Sequence, residues 1–236
     1  PGGAILNSGE VTLRATFTPA NLDNYAKVDA EVVLTINKAP LTVTAVNASR
    51  LFGKENPEFE LVYDGFVYGE DKSVLTTPVS ASTPAEPDSP PGEYPIILSG
   101  GEAANYEITL VNGTLTIVSQ TPVITWPTPE AITYGDKLSE VQLNASANVD
   151  GTFAYETELG TELKVGTVLP AGEHTLKVTF NPSNDNYATV DAEVVLTINK
   201  APLTVTVVNV SRAYGEPNPD FDDLIRYDGF VNGEDE

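Results

Sequence analysis

His174 is the only histidine among 236 residues, so any Ser-His-Asp relay or two-histidine metal site made within the chain would depend on it. It heads an alternating run with Leu176, Val178 and Phe180, and a second copy of that run has Val11 at the matching place. A position that valine can fill does packing or rim work, not proton transfer. The chain has no cysteine, which removes disulfides, thiol nucleophiles and zinc–thiolate sites. Three acidic clusters invite a calcium test: Glu70-Asp71, Asp220-Asp222-Asp223 and Glu234-Asp235-Glu236. Calcium needs about six to eight converging oxygens. No D-x-[DN]-x-[DN]-G loop is present, and the connectors NKAP (37–40) and VSQTP (118–122) carry no acidic residue. Trp126, the single tryptophan, could stack on a sugar; next to Pro127 and just past a connector, it is better placed to pack in a first strand. Tyrosines of the YDGF and NY motifs suit core and corner positions, where their hydroxyls find backbone partners. Nothing singles out a lysine–asparagine pair for an isopeptide staple. No glycine-rich loop follows a strand and opens a helix, as a phosphate cradle would require. The expectation is no enzyme, with no catalytic, cofactor-binding or metal-ligating residue and no cofactor.

The elements that would carry these residues are set by a repeat. VDAEVVLTINKAPLTVT, Val28 to Thr44, returns unchanged 162 positions later as Val190 to Thr206. Around it, LNSGEVTLRATFTP (6–19) matches LPAGEHTLKVTFNP (169–182). On the other side, FGKENPEFELVYDGFVYGED (52–71) matches YGEPNPDFDDLIRYDGFVNGED (214–235), with two extra residues near Asp223. Self-similarity at a fixed period marks a tandem array. One period holds two kinds of unit, A and B, of about 80 residues each, a size that buries somewhat over ~60% of its unfolded surface. The predicted boundaries are 1–38 (C-terminal half of A), 39–119 (complete B), 120–199 (complete A) and 200–236 (N-terminal half of B).

Apolar residues alternate with a period of 2, as in half-buried strands. Val11, Leu13, Ala15 and Phe17 are expected inward on one strand, and Val28, Ala30, Val32, Leu34 and Ile36 on the next. Pro40 stiffens the connector and hands the second strand directly to a third, with Leu41, Val43 and Ala45 inward. The five prolines between Thr77 and Gly92 predict a long polar loop or an edge segment. Asn112-Gly113 predicts a two-residue type I′ hairpin pairing Leu110 with Leu115 and Ile108 with Ile117. No segment has a 3.6-residue apolar period. The fold class is all-β, tandem Ig-like β-sandwich modules in an extended rod.

The motifs F-G-x-x-N-P-x-F (52–59) and Y-D-G-F (63–66), repeated as Y-G-x-x-N-P-x-F (214–221) and Y-D-G-F (227–230), resemble the MBG-type (YGX) module of bacterial surface proteins. ITYGDKLS, GTFAYE, LPAGEHTLKVTF and NPSNDNY of the A unit resemble bacterial Ig-like repeats that alternate with such modules. Phe52 in place of tyrosine and the proline-rich insert at 77–92 depart from the pattern. The resemblance implies an extracellular, bacterial cell-surface location and a structural stalk segment of a repetitive adhesin or filament. The alternative is a glycan-binding module of a secreted protein.

Acidic residues number 34 against 12 basic ones, a net charge of −22. Such a polyanion is repelled by nucleic acid and by anionic membranes. The expected partners are neighbouring modules of the same long chain and, in a filament, identical chains. A host or prey surface or a glycan would be met through other regions. No apolar run of 18 residues could span a bilayer. The absence of methionine and the two unlike half modules lead to the expectation that this is a slice of a longer polypeptide, or that strands of neighbouring chains complete the halves.

Overall fold

The computed structural model describes residues 4–235. Pro1 and Glu236, ends of the predicted 1–38 and 200–236 segments, lie outside the described residues. The chain divides into two compact units, Pro1–Ser119 and Gln120–Glu236. Both are built of strands. Among the described residues the only helical elements are two 3-10 turns, Lys72–Val74 and Asp222–Leu224.

The first unit opens with a hairpin, β1 (Gly9–Phe17) on β2 (Val28–Ile36), in the register Phe17 to Val28 and Gly9 to Ile36. Seven strands follow: β3 (Ala39–Ala45), β4 (Ala48–Leu51), β5 (Leu61–Asp64), β6 (Thr77–Ser82), β7 (Gly92–Glu102), β8 (Tyr106–Val111) and β9 (Gly113–Val118). They form two sheets, β5-β3-β8 and β4-β9-β7-β6. Between the sheets lie Leu41, Val43, Ala45, Ile96, Leu98, Tyr106, Leu115 and Ile117, all buried. This is a β-sandwich in which alternate residues of each strand face the other sheet.

The second unit runs β10 (Ile124–Thr125), β11 (Ile132–Thr133), β12 (Ser146–Ala147), β13 (Gly151–Thr157), β14 (Gly172–Pro182) and β15 (Val190–Asn199). A four-stranded sheet, β11-β15-β14-β13, faces the short pair β10-β12. Leu138, Leu163, Leu176, Val194, Leu196 and Ile198 fill the interior. A last antiparallel pair, β16 (Thr204–Val207) on β17 (Ile225–Asp228), ends the unit. Its register matches β3 on β5, Val205 facing Tyr227 as Val43 faces Tyr63. The two extra residues near Asp223 are therefore taken up in the second 3-10 turn, and the ladder does not slip.

Two expectations are corrected and one is narrowed. Asn112-Gly113 is not a hairpin turn. β8 pairs in parallel with β3, and β9 lies in the other sheet beside β7 and β4. The four apolar residues do share one interior, but they meet it from opposite sheets. Asn112 Oδ1 accepts from the Leu98 amide at 2.9 Å. Gly113 is required for another reason: a Cβ there would lie 2.7 Å from the Ala45 carbonyl oxygen. The stretch from Thr77, expected as a loop or an edge segment, is both in turn. It begins with β6 at a sheet edge, where Pro78 costs no ladder bond that a central strand would need, and only then becomes loop. Finally, β1 and β2 form where expected, but the apolar residues expected inward are not covered. Phe17 is 68% exposed, while its repeat counterpart Phe180 is 0% exposed; Leu13 is 43% exposed, Leu176 0%.

Candidate functional site: the connector between the A and B sequences

The connector Asn37–Pro40 and its copy Asn199–Pro202 share one contact, a glycine seated on the proline, and differ in the rest. Strand β3 starts at Ala39, whose amide donates to the Asn105 carbonyl at 2.9 Å. Lys38 Nζ donates to the Ala103 carbonyl at 3.0 Å. The Y-D-G-F motif comes back over the connector from the far side. Gly65 has φ +117° and sits so near Pro40 that a Cβ would be 2.4 Å from its carbonyl oxygen. Gly229 does the same to Pro202, at 2.3 Å with φ +117°. Backbone against backbone at this range admits only glycine. The motif is a structural seat for the connector proline.

Four carboxylates of the acidic clusters, those of Glu70, Asp71, Asp220 and Glu234, accept from protein donors. Tyr106 donates its hydroxyl to Glu70 Oε2 in a short hydrogen bond and accepts from the Val67 amide at 3.1 Å. Tyr134 donates to Glu234 Oε1 at 2.5 Å. Each phenol is held above the ordinary tyrosine pKa, chiefly because its proton is shared with the carboxylate. Asp71 accepts from Ser73, capping the first 3-10 turn, and that bond lowers its pKa. Asp220 accepts from the Asp222 amide at 3.1 Å; the Asp223 side chain and Glu236 are outside the described residues. Among the described residues no three His, Asp or Glu side chains converge as a metal site would need.

The single-residue candidates stand apart from one another. His174 is half-buried at the head of β14, one ring nitrogen 2.7 Å from the Pro170 carbonyl. Trp126 packs edge-on to Tyr155, centroids 5.3 Å apart, and spends its indole N–H on the Gln142 carbonyl at 3.0 Å. Neither joins a second reactive group in these contacts.

A clamp that motif reading missed organises the B sequence. Arg50 is 7% exposed, and its partners are neutral oxygens: Asn56 Oδ1 at 2.6 Å and the carbonyls of Leu51, Glu86 and Pro87. Asn56 in turn donates to the Ala85 carbonyl at 2.7 Å. Together they tie down the proline-rich loop after β6. The signal was present: both copies read Ser-Arg six residues before the Asn-Pro, at Arg50 and Arg212. Arg212 makes the same bond to Asn218, at 2.7 Å.

The architecture is thus that of an all-β protein of sandwich modules whose motif residues serve backbone packing. Residues 41–116 match the family model of the MBG domain (YGX type), and this module is of MBG type. Among solved structures, the chain is similar to Drosophila N-cadherin EC1-3, at 10% identity over 83% of this chain and 79% of that one, with a TM-score of 0.27. It is similar to Drosophila N-cadherin EC1-4 at 9% identity, over 83% of this chain and 59% of that one, with a TM-score of 0.24. No curated protein matches it. No helix among the described residues is long and apolar enough to cross a membrane.

Proposed function

We propose that the chain is a structural spacer, a stalk segment of a repetitive bacterial cell-surface adhesin or extracellular filament, without catalytic activity. The division into A and B modules at 38/39, 119/120 and 199/200 belongs to this reading, as does an extracellular location. The observation that carries it is the glycine seat at the connector. Gly65 on Pro40 and Gly229 on Pro202 fix the entry of each B sequence by backbone contact, which a flexible tether would not need. The MBG-type match and the 17 unchanged residues that span the connector support it. A net charge of −22 keeps such a segment soluble and apart from polyanions.

Small-angle scattering on chains of one, two and three A–B periods tests the reading. The maximum dimension should grow in proportion to the number of periods. Growth nearer the square root of that number, as for beads on a flexible string, would overturn it.

A further inference from the structure

The two units show the connector in complementary states of completion. In the second unit the turn Tyr134-Gly135 lies on the B-type sequence that follows. Tyr134 reaches Glu234 Oε1, and Gly135 lies so close that a Cβ would be 3.0 Å from Val231. The segment is held at its base by strand pairing: Ile132 and Thr133 run parallel to Ile198 and Asn199, and the Tyr134 amide donates to the Asn199 carbonyl at 2.8 Å.

In the first unit the corresponding groups are Ile36 and Asn37 for the strand edge, Val67 for the apolar contact and Glu70 for the carboxylate. All four line one cleft of about 450 Å³. The outer edge of β2 carries no strand among the described residues. Glu70 already accepts from Tyr106, but through Oε2. Its twin accepts from Tyr134, and a carboxylate with two oxygens has room to accept from two phenols at once.

We propose that this cleft is an acceptor site for a Tyr-Gly turn of the A type, a segment with the sequence character of Ala131–Asp136. Three features recognise it. The edge of β2 adds the Ile-Thr pair as a parallel strand. Val67 offers the same side chain as Val231, against which Gly135 packs tightly at φ +102°. Glu70 then becomes a carboxylate bridging two phenols, Tyr106 from its own module and the incoming tyrosine from the module before. The completed connector is held by a Tyr–Glu–Tyr bridge, of which each unit displays one arm. A hydrophobic helix or a glycan would satisfy neither the strand edge nor the glycine contact.

This inference rests on the connector being the working part of a spacer, but it can fail alone. The test is a chain in which a second copy of the sequence 120–167 replaces residues 1–4 and is joined to Ile5, with residues 5–236 intact. Hydrogen exchange at Ile36 and Asn37 should slow at least about tenfold, and nuclear Overhauser contacts should link the new Tyr-Gly turn to Val67 and Glu70. Tyr→Phe in the new turn should keep the strand pairing and return the Glu70 contacts to those of the unextended chain. If the extension folds on β1 and β2 while its tyrosine stays away from Glu70, the bridge is wrong and the spacer reading stands. Failure of the extension to order at all, or dimerisation through the cleft in its place, would also overturn the proposal.

Discussion

Arg50 Nε lies 2.6 Å from Asn56 Oδ1, a charged donor fixed by a neutral acceptor inside the MBG-type module. Three further guanidinium bonds go to the carbonyls of Leu51 in β4 and of Glu86 and Pro87 in the loop, so the pair is the anchor of the proline-rich loop. Asn56→Ala removes one acceptor and one donor from a buried site and should cost about 2 kcal/mol. Arg212 and Asn218 are exposed, so Asn218→Ala should cost under ~0.5 kcal/mol. Hydrogen exchange of the Leu115 and Ile117 amides is the right measure, because a chain with several cooperative units has no single unfolding free energy.

Gly65→Ala puts a methyl against the Pro40 carbonyl oxygen, 2.4 Å away, at φ +117°. The expected loss is at least about 2 kcal/mol, seen as faster exchange at Leu41 and Val43. Gly53→Ala, at φ +75° with nothing within 4 Å, meets only the left-handed backbone penalty of about 1 kcal/mol. Equal effects at the two glycines would remove the case for a seated connector.

Leu176 and Leu13 are repeat counterparts with the same chemistry and opposite burial. Leu176→Ala should destabilise the second unit by about 3 kcal/mol. Leu13→Ala should change little, within ~0.5 kcal/mol. Thermal melts of the two variants compare them directly. A large loss for Leu13→Ala would mean that something covers the β1–β2 face in solution.

The Tyr134–Glu234 bond should respond to alkaline pH. Its phenol is held above the ordinary value of about 10 by sharing its proton with the carboxylate. A folded pKa above the unfolded one means the contribution is intact below about pH 10 and is lost as pH rises through the folded value. Protection of the Tyr134 amide, its exchange rate relative to the base-catalysed rate of a free amide, should therefore fall above pH 10 in the native chain. In Tyr134→Phe that fall should be absent and the lower protection present already at neutral pH.

Calcium should leave stability unchanged, since the connector carries no carboxylate and the nearby Glu70 and Glu234 hold tyrosines. A site filled at a hundred times its dissociation constant would add about 2.7 kcal/mol. Melting in excess chelator and in millimolar calcium should superpose; a rise of several degrees would refute this.

Strand alternation and the repeat were enough to locate β1, β2 and their copies β14 and β15, because period-2 apolar residues recur at the same places in both; their pairing came from the structure. Turn chemistry misled at Asn112-Gly113. A two-residue hairpin and a crossing between sheets place Leu110 and Leu115 toward the same interior, and hydrophobic pattern alone does not separate them. The glycine is demanded by the Ala45 backbone, which is 68 positions away in sequence. The Tyr134–Glu234 bond was illegible for the same reason, its partners being 100 residues apart. Glu70 and Glu234 could be seen as acidic, but their phenol partners depend on the third dimension. Arg50 was the recoverable miss, since its place before Asn-Pro recurs in the second copy.

In the MBG-type module the entering strand β3 runs parallel to β8, and β4 runs parallel to the departing strand β9. Tension applied at Ala39 and Val118 would drag these neighbours lengthwise past each other. The ladder bonds of each pair would then be strained together, not peeled one at a time from an end. Such a module yields late and abruptly, like a lap joint in shear, and that would suit a segment pulled by both ends.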